Sequence, residues 1–286
     1  MHYWLVMPAA GAGRRFGASR PKQHLPLAAA TLLDCALQPF LEDARCRGGV
    51  LVMAADDPQR AALRGRLPTA FQIVDGGAER AHSVCNGLAA LALVAAPGDW
   101  VLVHDAVRPC LSGADLKRLC DTLAEHPVGG LLATPVADTL KRARVEGMPP
   151  ATTPAAAMTP AAPADAGPVT AAPAAAMADA WHAAPATLAV GTVPGTGALM
   201  PLPESAATVS REGLWLAQTP QMFRYEPLRR ALQTALARGQ LPTDEAQAME
   251  WQGLRPALVA AGDSNIKVTR SADLALAAAI LAARLE

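Results

Sequence analysis

Short apolar runs separated by stretches of helical spacing fill the first half of this 286-residue chain, and they constrain its fold more than any other feature. Residues 3–7, 49–54, 71–74, 100–103 and 130–136 each read as a buried strand. Between them, residues 31–41, 80–94 and 114–123 carry helical periodicity, with apolar side chains at 84, 88, 91 and 92 in the second stretch. Strands apolar throughout and alternating with helices imply a parallel sheet covered on both faces. The expectation is therefore an α/β fold: a Rossmann-like, doubly wound, mostly parallel sheet with helices on both sides. Ligands in such sheets bind beyond the carboxyl ends of the strands. After residue 206 the pattern resumes, with strands expected at 214–218, 257–260 and 265–268. Helices are expected at 227–238, from Thr243 onward, and at 272–285.

The residues after the first strand form an unusual loop. The stretch Pro8-Ala9-Ala10-Gly11-Ala12-Gly13-Arg14-Arg15 continues through Gly17, Arg20 and Pro21-Lys22-Gln23, and no acidic residue precedes Asp34. Glycines let backbone N–H groups approach phosphate oxygens, and Arg and Lys neutralise charge. The spacing Gly11-x-Gly13-x-x-x-Gly17 is one residue too long for a dinucleotide fingerprint, and no Gly-Lys-Ser/Thr is present to make a Walker loop. A tight strand-to-helix connection explains the glycines equally well; Lys22 on the same loop favours an anion site.

Three further polar loci fall at expected strand ends. Asp75-Gly76-Gly77 leads into Glu79, Arg80 and Ser83, and reads either as a tight turn or as backbone that meets a base edge. His104-Asp105 leads to Arg108-Pro109; Asp105 suits Mg²⁺ or ribose hydroxyls, or a local pair with Arg108. His104 reads as a packed strand-end histidine. Asn265-Ile266-Lys267-Val268-Thr269 places a lysine between apolar neighbours, facing a site or snorkelling to solvent. Thr243-Asp244-Glu245 reads as substrate-facing or as a helix cap.

Lys+Arg and Asp+Glu both number 25, so net charge gives no reason to expect nucleic acid or a membrane surface as partner. The basic bias is local, as a small anionic ligand requires. Five cysteines with no metal-binding spacing and no secretory signal point to reduced thiols and a cytoplasmic location.

Residues 147–205 differ in kind. From 151 to 180, 15 of 30 residues are alanine and 5 are proline, a composition that cannot bury a core and reads as a disordered insert in one domain spanning 1–286. The polar, β-compatible segments that flank it, 137–146 and 206–212, look like the two strands of a protruding β-arm.

Taken in order, these motifs, with Thr219-Pro220-Gln221 and Thr243-Asp244-Glu245-Ala246, resemble the 2-C-methyl-D-erythritol 4-phosphate cytidylyltransferase family over about 1–146 and 206–286. The resemblance implies transfer of a cytidylyl group from CTP to 2-C-methyl-D-erythritol 4-phosphate (MEP), with release of pyrophosphate, in non-mevalonate isoprenoid synthesis. It implies Arg15 and Lys22 at the transition state and leaving pyrophosphate, and Arg211 and Lys267 at the MEP phosphate. Backbone from Ala9, Ala10, Gly11, Ala12 and Gly13, and from Gly76 and Gly77, with Ser83, would hold CTP; Asp105 would sit near ribose and Mg²⁺. Arg108, Thr139, Thr219 and Thr243 would line the second substrate pocket. The resemblance also implies a homodimer in which the arm, with Thr139 and Arg211, reaches the other subunit's site. Another polyol-phosphate nucleotidyltransferase, such as one acting on ribitol 5-phosphate, is the alternative.

Overall fold

The computed structural model describes residues 1–11, 21–144 and 203–284. The expectations for Ala12, Gly13, Arg14, Arg15 and Arg20, and for residues 147–202, lie outside them. Two compact units divide the chain: Met1–Asp138 with Arg211–Glu286, and Thr139–Ser210.

The first unit opens with β1 (Tyr3–Pro8), the short pair β2 (Pro26–Leu27) and β3 (Ala30–Thr31), and α1 (Leu32–Glu42). Next come β4 (Cys46–Met53), α2 (Arg60–Arg64), β5 (Phe71–Asp75), α3 (Arg80–Ala90), β6 (Trp100–Val103), α4 (Gly113–Leu123) and β7 (Gly129–Pro135). The second unit holds β8 (Leu140–Ala143) and β9 (Ser205–Val209), an antiparallel pair. The chain then returns to the first unit with β10 (Trp215–Arg224), α5 (Tyr225–Ala237), α6 (Glu245–Glu250), β11 (Ala257–Ala260) and α7 (Ser271–Ala282).

Seven strands form the central sheet in the order β11-β7-β10-β6-β1-β4-β5. All neighbours are parallel except β10, which runs antiparallel to both β6 and β7. The side-chain period of two divides each strand between two cores. Leu5, Met7, Leu51, Met53 and Leu102 face one layer, where Leu33, Leu37 and Phe40 of α1 and Leu119 and Leu123 of α4 cover them. Val6, Val50, Val52, Val101 and Val103 face the other, covered by Val84 and Leu88 of α3 and Leu228 and Leu232 of α5. Fully burying each such side chain stabilises the fold by about 1.5–3 kcal/mol. This is the doubly wound α/β arrangement that the run pattern predicts.

Local signals set several boundaries. Thr31 caps α1: its Oγ1 accepts from the Asp34 amide at 3.2 Å, and the Asp34 carboxylate accepts from the Thr31 amide at 3.1 Å. Pro227 lies in the first turn of α5, where its missing N–H costs nothing, so the helix begins at Tyr225 rather than at the proline.

Three local expectations are corrected. The strand expected at 214–218 runs on to Arg224 and is the antiparallel member of the sheet. Its polar Gln218-Thr219-Pro220-Gln221 stretch hides it from a hydrophobic pattern, because those side chains serve the site. Residues 265–268 form no strand; Val268 instead donates its amide to Val107 O at 2.9 Å, tying that loop to the one after β6. The β9 strand begins at Ser205, inside the stretch assigned to the insert, and ends at Val209, before Arg211.

Candidate active site

A cavity of about 770 Å³ opens at the carboxyl ends of β1, β5 and β6. Ala9, Ala10 and Gly11 continue from β1 along one wall; Gly77 and Ser83 form another, and Asp105 comes off the end of β6. Lys22 and Lys267 reach it from two loops distant in sequence. Among the described lining residues the charged groups are Lys22, Arg80 and Lys267 against Glu79 and Asp105, a cationic excess. The N-terminus of α3 also faces the cavity through Glu79 and Arg80, and its dipole favours an anion there.

The two glycines after β5 are required by close approach. A Cβ on Gly76 would lie 2.3 Å from the Ala10 Cβ, and one on Gly77 would lie 2.3 Å from the His82 Cβ. Ser83 holds this turn: its Oγ accepts from the Gly77 amide at 3.0 Å and donates to Glu79 O at 3.3 Å.

Asp105 is the electrostatic centre. Its Oδ1 accepts from Arg80 Nε at 3.0 Å, and its Oδ2 lies 2.9 Å from Lys267 Nζ. Burial alone would raise its pKa, but Arg80 and Lys267 outweigh burial and hold the carboxyl well below the usual range. Its amide donates to Thr219 Oγ1 at 3.0 Å. The same hydroxyl lies 3.0 Å from His104 Nδ1, and His104 Nε2 lies 3.2 Å from Arg108 O.

The structure also separates residues expected to act together. Thr219 and Arg108 are buried, and neither lines the cavity. Arg108 Nη1 donates to Asn265 O at 2.8 Å, and Asn265 Nδ2 donates to Gln218 Oε1 and Thr219 O, both at 2.8 Å. These bonds tie the β6 loop, β10 and the Lys267 loop together. Thr243 lines a second, smaller cleft of about 290 Å³ beside Trp215 and Glu250. Arg211 lies in the turn before β10, its guanidinium donating to Ala137 O. Thr139 belongs to the second unit, one residue before β8.

Two residues given no individual role from sequence, Arg80 and Gln23, stand out, together with Glu245, whose segment reads in sequence as substrate-facing or as a helix cap. Arg80 bridges Asp105 and the fully buried Glu245, which accepts from its two terminal nitrogens at 2.7 and 3.0 Å. Gln23 is buried and donates to Ala9 O at 2.8 Å, fixing the turn that carries Lys22. The spacing from the double glycine flags Arg80. An acid in the first turn of a helix has too many ordinary explanations to flag Glu245.

His104 carries a pH signature. Burial pushes its pKa down to about 4, against the pull of Asp105, so it is neutral at pH 7. An unfolded histidine titrates near 6.5, so between about pH 6.5 and 4 the unfolded chain holds a proton that the folded chain lacks. Stability therefore falls as pH falls through that window, by about 3 kcal/mol in total. Urea unfolding of ligand-free protein at pH 7 and pH 4.5 reads this loss directly. A His104→Gln variant should show a shallower dependence; the same slope in both proteins would contradict the assignment.

An antiparallel strand set into a parallel sheet, and a cavity with a cationic excess at the strand ends, define an α/β fold with a site suited to an anionic ligand. The family model for IspD, 2-C-methyl-D-erythritol 4-phosphate cytidylyltransferase, matches residues 3–164 and 203–283. The chain belongs to that family. It is 41% identical over 273 residues to the cytidylyltransferase of that name from Pseudomonas aeruginosa, covering 95% of this chain and 93% of the relative. To the one from Halorhodospira halophila it is 42% identical, covering 99% and 95%. Among solved structures, a crystal structure of 4-diphosphocytidyl-2C-methyl-D-erythritol synthase superposes with a TM-score of 0.69 at 29% identity, covering 98% of both chains. The Francisella tularensis protein shares the fold at a TM-score of 0.67 and 24% identity.

Proposed function

We propose that this chain transfers the cytidylyl group of CTP to MEP and releases pyrophosphate. The observation that carries the reading is the convergence of Lys22, Arg80 and Lys267 on a strand-end cavity built around Asp105, in a chain of this family. The MEP phosphate oxygen attacks the α-phosphorus of CTP in line. The bond from that phosphorus to the oxygen bridging to the β-phosphorus breaks, and pyrophosphate leaves with the electron pair. A phosphate monoester has a second pKa of about 6, so the nucleophile is already mostly dianionic at pH 7 and needs no side-chain base. The obstacle is bringing two anions together, which positioned cations overcome.

Lys22 stabilises the crowded phosphorus and the departing pyrophosphate, as does Arg15. Lys267 and Arg211 hold the MEP phosphate. Ala9 to Gly13, Gly76, Gly77 and Ser83 hold the nucleotide. Asp105 orients the ribose and would help hold the metal. The donor set fits Mg²⁺: Asp105 presents a carboxylate to the cavity, and Mg²⁺ with nucleotides commonly takes one or two carboxylates plus phosphate oxygens and water. Asp105 would be one such carboxylate, and bound Mg²⁺ would neutralise triphosphate charge.

We extend the proposal to a cytoplasmic homodimer joined through the arm, with Thr139 and Arg211 supplied across the interface. All five cysteines are free thiols, which suits a reducing compartment. No helix among the described residues is long and apolar enough to cross a membrane. Leu214, Trp215 and Leu216 are exposed in succession and offer an apolar surface for a second copy. Because loop-closure entropy grows only logarithmically with length, deleting residues 149–203 should leave dimer and activity intact. Light scattering and turnover on the deletion protein check this; loss of either with the fold retained would contradict it.

The activity itself is tested by incubating the protein with CTP and Mg²⁺, with and without MEP. One pyrophosphate per CTP consumed, only when MEP is present, is expected. No release with MEP would refute the reading.

A further inference from the structure

We propose that Glu245 is a positioning residue for the nucleotide site, acting through Arg80 on Asp105; the inference rests on the cytidylyl-transfer reading above. Glu245 is fully buried and does not line the cavity, so it touches no substrate. A buried carboxylate is costly unless paired. Here it meets Arg80 Nη1 at 2.7 Å and Nη2 at 3.0 Å, a fork-to-fork geometry that fixes the guanidinium plane as well as its place. With both terminal nitrogens held, Arg80 turns its Nε onto Asp105 Oδ1 at 3.0 Å. The aim of the Asp105 carboxylate, and the placement of the Arg80 charge on the cavity wall, thus depend on a residue 140 positions away in sequence (Asp105 to Glu245).

The base of this relay is rigid. Glu245 is the first residue of α6, and that helix is fastened to the sheet independently. Gln221 of β10 donates Nε2 to Asp244 Oδ2 at 2.9 Å and accepts from the Ala246 amide at 2.8 Å. Asp244 in turn caps the helix, accepting from the Gln247 amide at 2.9 Å. Glu245 is therefore gripped on both sides by its neighbours, and its carboxylate is delivered to one point. The Thr243-Asp244-Glu245 segment accordingly divides its work: Asp244 caps and anchors, and Glu245 supports the catalytic cavity.

The test is a double-mutant cycle. Glu245→Gln keeps the shape but removes the charge that grips Arg80. It should raise the CTP KM at least 10-fold and the MEP KM less than 3-fold. Arg80→Met should raise the CTP KM at least as much. Adding Glu245→Gln to Arg80→Met should cost nothing further, because the link it breaks is already gone. A wild-type CTP KM in Glu245→Gln, or additive losses in the double variant, would overturn the proposal. If Glu245→Gln does not fold, Glu245→Asp, which keeps the charge but shortens its reach to Arg80, is read instead: a raised CTP KM supports the relay and a normal one refutes it. Failure of the wild-type protein to release pyrophosphate would refute the reading beneath it, a separate result.

Discussion

Lys22→Ala should lower kcat by at least 10²-fold, with a smaller change in the CTP KM. Lys22 lies in a short turn, Lys22–His24, that is held at two further points. Gln23 donates to Ala9 O at 2.8 Å, and His24 Nε2 lies 2.7 Å from Asp57 Oδ2, with both of those side chains nearly buried. The ammonium is brought to the cavity within 3.5 Å of Val268 O, next to Lys267 in sequence. A cation fixed in this way needs no reorganisation when negative charge builds on the phosphorus and leaving group, so its effect falls on the transition state more than on binding. Removing one preorganised donor costs about 10²–10³ in turnover, on the order of 3–4 kcal/mol. Steady-state pyrophosphate release, on variant protein with wild-type circular dichroism, measures the loss. A kcat within threefold of wild type would remove Lys22 from the chemistry.

Lys267→Ala should lower kcat/KM for MEP by about 10²-fold, roughly the 3 kcal/mol of one lost charge-assisted contact to a phosphate. Two effects combine. The side chain is partly open to the cavity and carries charge that attracts the incoming dianion. It also holds Asp105 Oδ2 at 2.9 Å, leaving Arg80 as the main counter-charge when it is gone. The MEP KM should rise more than the CTP KM, and Lys267→Met, which keeps the stem, should behave like alanine. Recovery of activity in the methionine variant would mean that packing, not charge, is what Lys267 contributes.

The parts of this molecule that are legible in sequence are those governed by local periodicity. The valines at 6, 50, 52, 101 and 103 alternate with leucine and methionine because each strand feeds two cores, and that pattern alone implies a sheet with helices on both faces. Gly76 and Gly77 are legible for a related reason: a backbone that must pass within contact distance of Ala10 and His82 leaves no room for a side chain. The features that escape the pattern are carried by polar side chains that reach across the fold. Gln218, Thr219 and Gln221 make β10 look like a loop, yet they join it to the Asp105 loop, Asn265 and α6. Residues 265–268 look like a strand because Ile266 and Val268 are apolar, but they pack under α7 with Leu27 and Ala277 rather than in the sheet. Arg108 and Thr219, both grouped with a substrate pocket, are buried and brace the loop that presents Asp105, a contact that no local pattern announces. Glu245 is the extreme case, since the arginine it grips lies 165 residues earlier.

Substrate choice between two polyol phosphates decides whether the cavity serves MEP. The measurement is kcat/KM for MEP and for ribitol 5-phosphate, each at saturating CTP and Mg²⁺, following pyrophosphate release. Turnover with MEP is expected, with at least a 10²-fold lower kcat/KM for ribitol 5-phosphate. Equal or greater efficiency with ribitol 5-phosphate would contradict the assignment of MEP as the substrate.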